Sequence, residues 1–127
     1  MKVVDTNVLI SLLINHSSSH LEFIAQQTLV APTLCKTEFV HVLMKYINSN
    51  IVSRDAAHQI LSLFDEITEL MNMVGTADIY ELASHYQISA YDAEFVALAI
   101  VNNTDLFTYD KRLICKFPQI CIKPVLS

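Results

Sequence analysis

Four carboxylates, Asp5, Glu38, Asp92 and Asp110, lie at or close to the starts of apolar runs in the sequence. Brought together, they would form an oxygen-rich site of the kind that suits Mg²⁺ or Mn²⁺. An ion held there lowers the pKa of a water molecule, orients it, and stabilises the leaving oxygen of an in-line phosphoryl displacement. Without a cation the same groups would repel one another and their pKa values would rise. Singly, three of them also have structural readings. Asp5 and Asp110 can cap the helices that follow, and Ser89-Ala-Tyr-Asp92 has the form of a capping box. Glu38 is harder to explain that way. Its neighbours a turn away are Leu34, Cys35, His41 and Val42, and a carboxylate on a largely apolar face carries a desolvation cost unless something positive meets it. The plain alternative is an exposed Glu38 on a helix whose core stripe is Phe39, Val40, Leu43 and Ile47.

The elements that must position these acids alternate between strand and helix. Lys2–Val4 reads as a strand, with a helix from Asn7 to about Ile14. His16 to His20 is a serine-rich loop or helix start leading into LEFIAQQT, and Leu29–Ala31 is a second strand stopped by Pro32. A long helix runs from about Thr33 to Asn48. Ser53 caps DAAHQILSLFDEI, Leu70–Val74 is a third strand ended by Gly75, and Thr76 caps ADIYELASHYQ. Ser89 opens YDAEFVALAIVNN, Asp105–Thr108 is a strand, Lys111–Phe117 a helix and Ile120–Val125 a closing strand. This alternation predicts an α/β fold with a mostly parallel central sheet and helices on both sides. In such sheets ligands sit at the carboxyl ends of the strands. Asp5 and Asp110 fall at strand ends and Glu38 and Asp92 in early turns of following helices, so one edge would gather all four.

The 127 residues fit one domain spanning 1–127, with 53% hydrophobic residues, a single glycine and a formal charge of −5. Apart from the four acids the chain is close to neutral, so a broad basic surface for polyanions is excluded. If nucleic acid is the substrate, bound cations must supply much of the local attraction. The mean hydropathy of +0.40 is high for a monomer and points to a partner surface. The helix TEFVHVLMKYI points the same way, because Val42 and Tyr46 form a second apolar stripe beside the first. The cysteines, Cys35, Cys115 and Cys121, are odd in number and without a CxxC pair, and read as buried thiols in a reducing compartment. Val8–Ile14 is too short to span a bilayer, and a soluble, cytoplasmic protein is expected.

Further residues have weaker chemical readings. His16 and His20 have a metal-compatible spacing, but no other His or Cys clusters near them. His41 lies one turn beyond Glu38. Lys111 and Arg112 follow Asp110 and are candidates to meet a substrate phosphate. Tyr91 is a candidate to stack a base. Asp105, at a strand's start, should lie at the far edge of the sheet.

Taken together, VVDTNVLI, the glutamate in PTLCKTEFVHVL, AYDAEFVALA and LFTYDKRL resemble a PIN-domain ribonuclease, and specifically the VapC-type toxin of toxin–antitoxin pairs. The resemblance covers the whole chain in order and spacing. It implies that Asp5, Glu38, Asp92 and Asp110 are an acidic quartet holding Mg²⁺ or Mn²⁺. Thr6 or Asn7, together with Thr108, match polar positions that hold the acids in place or touch the metal-bound phosphate. It also implies cleavage of single-stranded or looped RNA to leave a 3′-hydroxyl and a 5′-phosphate, dimerisation, and silencing by a small antitoxin. One departure is Asn102-Asn103-Thr104-Asp105, where the family often has a glycine; Asn tolerates the left-handed conformation such a turn needs.

Two other classes remain. An aspartate-based phosphatase would need a second Asp two residues after the first, where this chain has Asn7, and would leave Glu38 without a purpose. A catalytically idle PIN-fold binding module would not need all four acids.

Overall fold

A computed structural model of the chain describes residues 1–14 and 18–125. Its sheet has five strands, β1 (Lys2–Val4), β2 (Leu29–Pro32), β3 (Thr68–Met71), β4 (Leu106–Phe107) and β5 (Cys121–Ile122), in the order β3-β2-β1-β4-β5. Every pairing is parallel. Parallel strands covered on both faces are apolar throughout, and Val3, Val4, Leu29, Val30, Ala31 and Leu106 are all essentially inaccessible. The helices that flank the sheet are α1 (Thr6–Ile14), α2 (Ser18–Ala25), α3 (Cys35–Asn48), α4 (Arg54–Ile67), α5 (Thr76–Tyr86), α6 (Ala90–Val101) and α7 (Lys111–Lys116). Helix α1 packs with α3 and α4, while α6 lies across β1, β2 and β4 with α5 against it.

The strand order matters more than the strand count. From β1 the chain moves outward through β2 to β3, then returns to the other side of β1 as β4. The order therefore reverses between β1 and β4, which opens a crevice at their carboxyl ends. Asp5 and Thr108 follow β1 and β4 directly, so they stand at that crevice.

Helix α3 is oriented by its core face. Cys35, Phe39 and Leu43, spaced one turn apart, are buried, and Phe39 meets Phe64 of α4 at a ring separation of 4.6 Å. Burying Phe39 contributes about 2–3 kcal/mol. That is enough to set the helix's rotation, and with it the direction of Glu38 one residue earlier. The expected core stripe is corrected here, because Val40 is 40% exposed. It belongs instead to an outer groove between α3 and α4, with Met44 and Ile47.

Other expectations also shift. The third strand is Thr68–Met71 rather than Leu70–Val74, because α4 runs directly into it and pairing with β2 aligns Leu29 with Thr68 and Pro32 with Met71. Gly75, not Thr76, occupies the N-cap position of α5, with no side-chain cap. The closing strand is only Cys121–Ile122, since just these two residues find partners on β4. Cys35 and Cys121 are buried free thiols as expected, but Cys115 is exposed, lying on the outer side of the short helix α7. His16 and the side chain of His20 lie outside the described residues. Among the described residues no helix is long and apolar enough to cross a membrane.

Candidate acidic active site

Asp5 is fixed by its backbone before its side chain. Its N–H donates to the Phe107 carbonyl at 2.9 Å, tying the end of β1 to β4, and its carbonyl accepts from Val8 and Leu9 at the start of α1. The carboxyl group is 8% exposed. Oδ1 accepts the Thr6 N–H at 2.8 Å, and Oδ2 accepts from Thr108 Oγ1 at 2.7 Å and Asn7 Nδ2 at 3.4 Å. Burial pushes the Asp5 pKa up to about 6; the bond from Thr108 pulls against this, and the charges of Asp92 and Glu38 add to it. Thr108, wholly buried, also accepts the Asp110 N–H at 3.0 Å. One hydroxyl thus positions two of the acids. Asn7 extends the frame, its Oδ1 accepting from Tyr109 N–H at 3.2 Å.

Glu38 is half-buried and accepts from Thr6 Oγ1 at 2.9 Å. Thr6 Oγ1 lies 3.3 Å from Cys35 Sγ. The hydroxyl has a single hydrogen, which goes to Glu38, so the Cys35 thiol is the donor in that second contact. Burial raises the Glu38 pKa, the Thr6 bond opposes it, and the charges of Asp92 and Glu94 add to the rise. Burial also pushes the Cys35 thiol up to about 12, and it is no nucleophile at neutral pH.

Asp92 and Asp110 each combine capping with a place in the cleft. Ser89 Oγ accepts the Asp92 N–H at 3.0 Å at the start of α6. Burial raises the Asp92 pKa and Asp110 adds to it, against the Ser89 hydrogen bond and the charge of Arg112. Asp110 is the N-cap of α7, its Oδ1 accepting from the N–H groups of Arg112 at 2.9 Å and Leu113 at 3.3 Å. Asp110 therefore caps α7 and borders the cavity, while Asp92 borders it from the first turn of α6, which Ser89 caps.

All four acids line one cavity of about 380 Å³, together with Thr6, Asn7, Ile10, Val42 and Tyr46. Three of the four have raised pKa values, with burial the first cause and neighbouring acids a further one. Such a cluster is at ease at neutral pH only with a cation or with protons. The donors are all carboxylate or hydroxyl and amide oxygen, a set that fits a hard divalent ion. Among the described residues no three His, Cys, Asp or Glu side chains stand arranged to clasp an ion directly. Mg²⁺ usually keeps several of its waters and takes only one or two carboxylates directly, so the cavity fits a hydrated ion.

The remaining candidates divide. Lys111 and Arg112 are exposed on the first turn of α7; the charge of Arg112 acts on Asp92, and its Nη2 lies 3.4 Å from the Gln87 carbonyl at the end of α5. His41 is exposed, and Tyr91 is 63% exposed; neither lines the cavity. Asp105 lies at the opposite edge, paired with Lys2 Nζ at 2.6 Å. Sequence reasoning missed Glu94, Ile10 and the cavity role of Val42 and Tyr46. The available signal was the helical spacing of Glu38, Val42 and Tyr46, which puts all three on one face of α3.

Known proteins resemble the chain in family and in fold. A family model described as PIN domain matches residues 2–119. Among solved structures, the crystal structure of PAE2754 from Pyrobaculum aerophilum is similar in fold, with a TM-score of 0.78 and 21% sequence identity over 91% of this chain and 83% of that one. No curated protein sequence matches the chain.

Proposed function

The chain belongs to the PIN-domain family, and on that footing we propose that it is a metal-dependent endoribonuclease, the VapC-like toxin of a toxin–antitoxin pair. The observation that carries the reading is the single cavity lined by Asp5, Glu38, Asp92 and Asp110, at the point where the strand order reverses. PIN domains are typically metal-dependent nucleases, and an acidic cavity of this kind is what such chemistry needs.

Asp5, Glu38, Asp92 and Asp110 would hold Mg²⁺ or Mn²⁺, and such an ion would supply the charge that offsets the carboxylates and the Lewis acidity that hydrolysis of an RNA phosphodiester needs. The chain's own residues keep the frame rigid. Thr108 and the Thr6 N–H hold the Asp5 carboxylate in one orientation, and Thr6 Oγ1 holds Glu38. Asp110 is held through one oxygen by the start of α7. Lys111 and Arg112, exposed at the start of α7 directly after Asp110, meet the substrate phosphates. The reading brings with it a homodimer and a small antitoxin that covers the acidic groove.

The test is RNA cleavage by purified protein with Mn²⁺, with chelator, and in the Asp5→Asn variant. Chelator is expected to abolish cleavage and Asp5→Asn to lower it by roughly 10²–10³-fold, while the variant keeps its circular dichroism spectrum and its antitoxin binding. Undiminished cleavage by Asp5→Asn contradicts the assignment. Absence of any cleavage by the wild-type protein would leave the fold as a binding module.

A further inference from the structure

The cavity has a second wall that metal binding does not use. Along α3, Glu38, Val42 and Tyr46 follow one another at intervals of four residues, so they share one helix face. By helix rise, the Cα of Tyr46 stands about 12 Å beyond that of Glu38. Along α1, Thr6 and Ile10 have the same spacing and line the same cavity. Each helix therefore begins polar at the acids and turns apolar on the same side. Val42 and Tyr46 are half-buried, packed on the core behind and bordering the cavity. Tyr46 is also held in place, because its carbonyl accepts from Ile51 at 2.9 Å and Val52 at 3.3 Å where the chain folds back after α3. A hydrated ion with six waters takes roughly 180 Å³ at the volume of liquid water. The cavity measures about 380 Å³, which leaves room on the apolar side.

We propose that this wall is a nucleobase subsite: an unpaired base neighbouring the scissile phosphate stacks on Tyr46, flanked by Val42 and Ile10. The proposal rests on the nuclease reading of the same cavity and adds the part of the substrate that the acids do not touch. A flat ring backed by the core is a preorganised stacking surface, and it accepts any base because every base has a π-face. A base inside a duplex has both faces occupied by its neighbours, so the subsite selects unpaired RNA without reading sequence.

The experiment compares wild type, Tyr46→Phe and Tyr46→Ala on an oligoribonucleotide with a mapped cut, and on the same strand with abasic nucleotides flanking that cut. On intact RNA, Tyr46→Ala should raise KM about tenfold, in line with the loss of one stacked base. Its kcat should barely change, its melting temperature in Mn²⁺ should fall by a few degrees as the packed ring is lost, and Tyr46→Phe should behave as wild type. On the abasic strand the wild type should fall to the level of Tyr46→Ala, and the variant should lose nothing more. An equal proportional loss on both strands, or a loss confined to kcat, overturns the subsite. If Tyr46→Ala does not fold, the wild type alone decides, and an unchanged KM on the abasic strand overturns it. If the wild type cuts no RNA, the nuclease reading fails separately, and the subsite is then judged by binding. Tighter binding of the intact than of the abasic strand supports it, and equal affinity overturns it.

Discussion

The sheet carries an aspartate at each of its two edges, and their surroundings differ. At the amino edge Asp105 pairs with Lys2 at 2.6 Å, both side chains about one-third exposed. At the carboxyl edge Asp5 is 8% exposed and held by hydrogen bonds alone, with other acids lining the same cavity. The first is a charge already matched within the chain. The second has no cationic side chain acting on it among the described residues. Position at a strand end is common to both; the neighbouring cation, present beside Asp105 and missing beside Asp5, is what separates them.

That contrast breaks most sharply at activity. Asp5→Asn should lower metal-dependent RNA cleavage by roughly 10²–10³-fold, the loss typical of removing a group that stabilises transition-state charge. Asp105→Asn, measured in the same cleavage assay, should leave the rate within about twofold, since exposed ion pairs contribute little. Equal losses in the two variants would erase the distinction.

Stability against pH comes next. In the unfolded chain Asp5 ionises near its ordinary value of 3.8, and in the fold at about 6. Between those values the folded protein keeps a proton that the unfolded chain releases, so metal-free stability falls as pH rises through about 6. From Asp5 alone the fall approaches about 3 kcal/mol, at about 1.4 kcal/mol per pKa unit. Thermal melts of metal-free wild type and Asp5→Asn should therefore diverge in favour of the variant above pH 6 and converge near pH 4. Mn²⁺ should stabilise the wild type at pH 7.5 and much less at pH 5. A variant that melts in parallel with wild type at every pH would contradict the burial argument.

Thr108→Val is a smaller change. It removes the donor to Asp5 and leaves the Asp110 N–H without its acceptor. The expected cost is about 1–3 kcal/mol of stability, with a 10–100-fold loss in Mn²⁺ affinity, as for other groups that orient a metal's ligands. Calorimetric titration with Mn²⁺ measures it. Smallest of all, Lys2→Met should cost at most about 1 kcal/mol in denaturant unfolding and leave Mn²⁺ affinity untouched.

Much of this was legible in the sequence because local signals and chain order agreed. Asp5 and Asp110 interrupt apolar runs where a strand hands over to a helix, and Ser89 with Asp92 announces the start of α6. The parallel order followed from alternation alone. What could not be read depended on partners distant in the chain. Strand β3 is chosen by its register with β2, so the apolar run at Leu70–Val74 misled. Helix α3 has apolar residues on three sides: Phe39 and Leu43 enter the core, Val42 and Tyr46 border the cavity, and Val40 and Met44 line an outer groove. Periodicity identifies the stripes but not what each one faces. Cys115 misled for a related reason, since the six residues of α7 are too few to show which side is inward.

The hydrogen bond from Thr108 to Asp5 joins residues 103 positions apart. A ribosome releases Thr108 a full 103 positions after Asp5, so a nascent chain carries Asp5 for that length without its hydroxyl donor. Closing so long a loop is also slow on entropic grounds. The acidic pocket therefore takes its shape only once β4 has joined β1 in the sheet. Pulse-labelled amide exchange should find the Asp5 N–H protected late, together with β4.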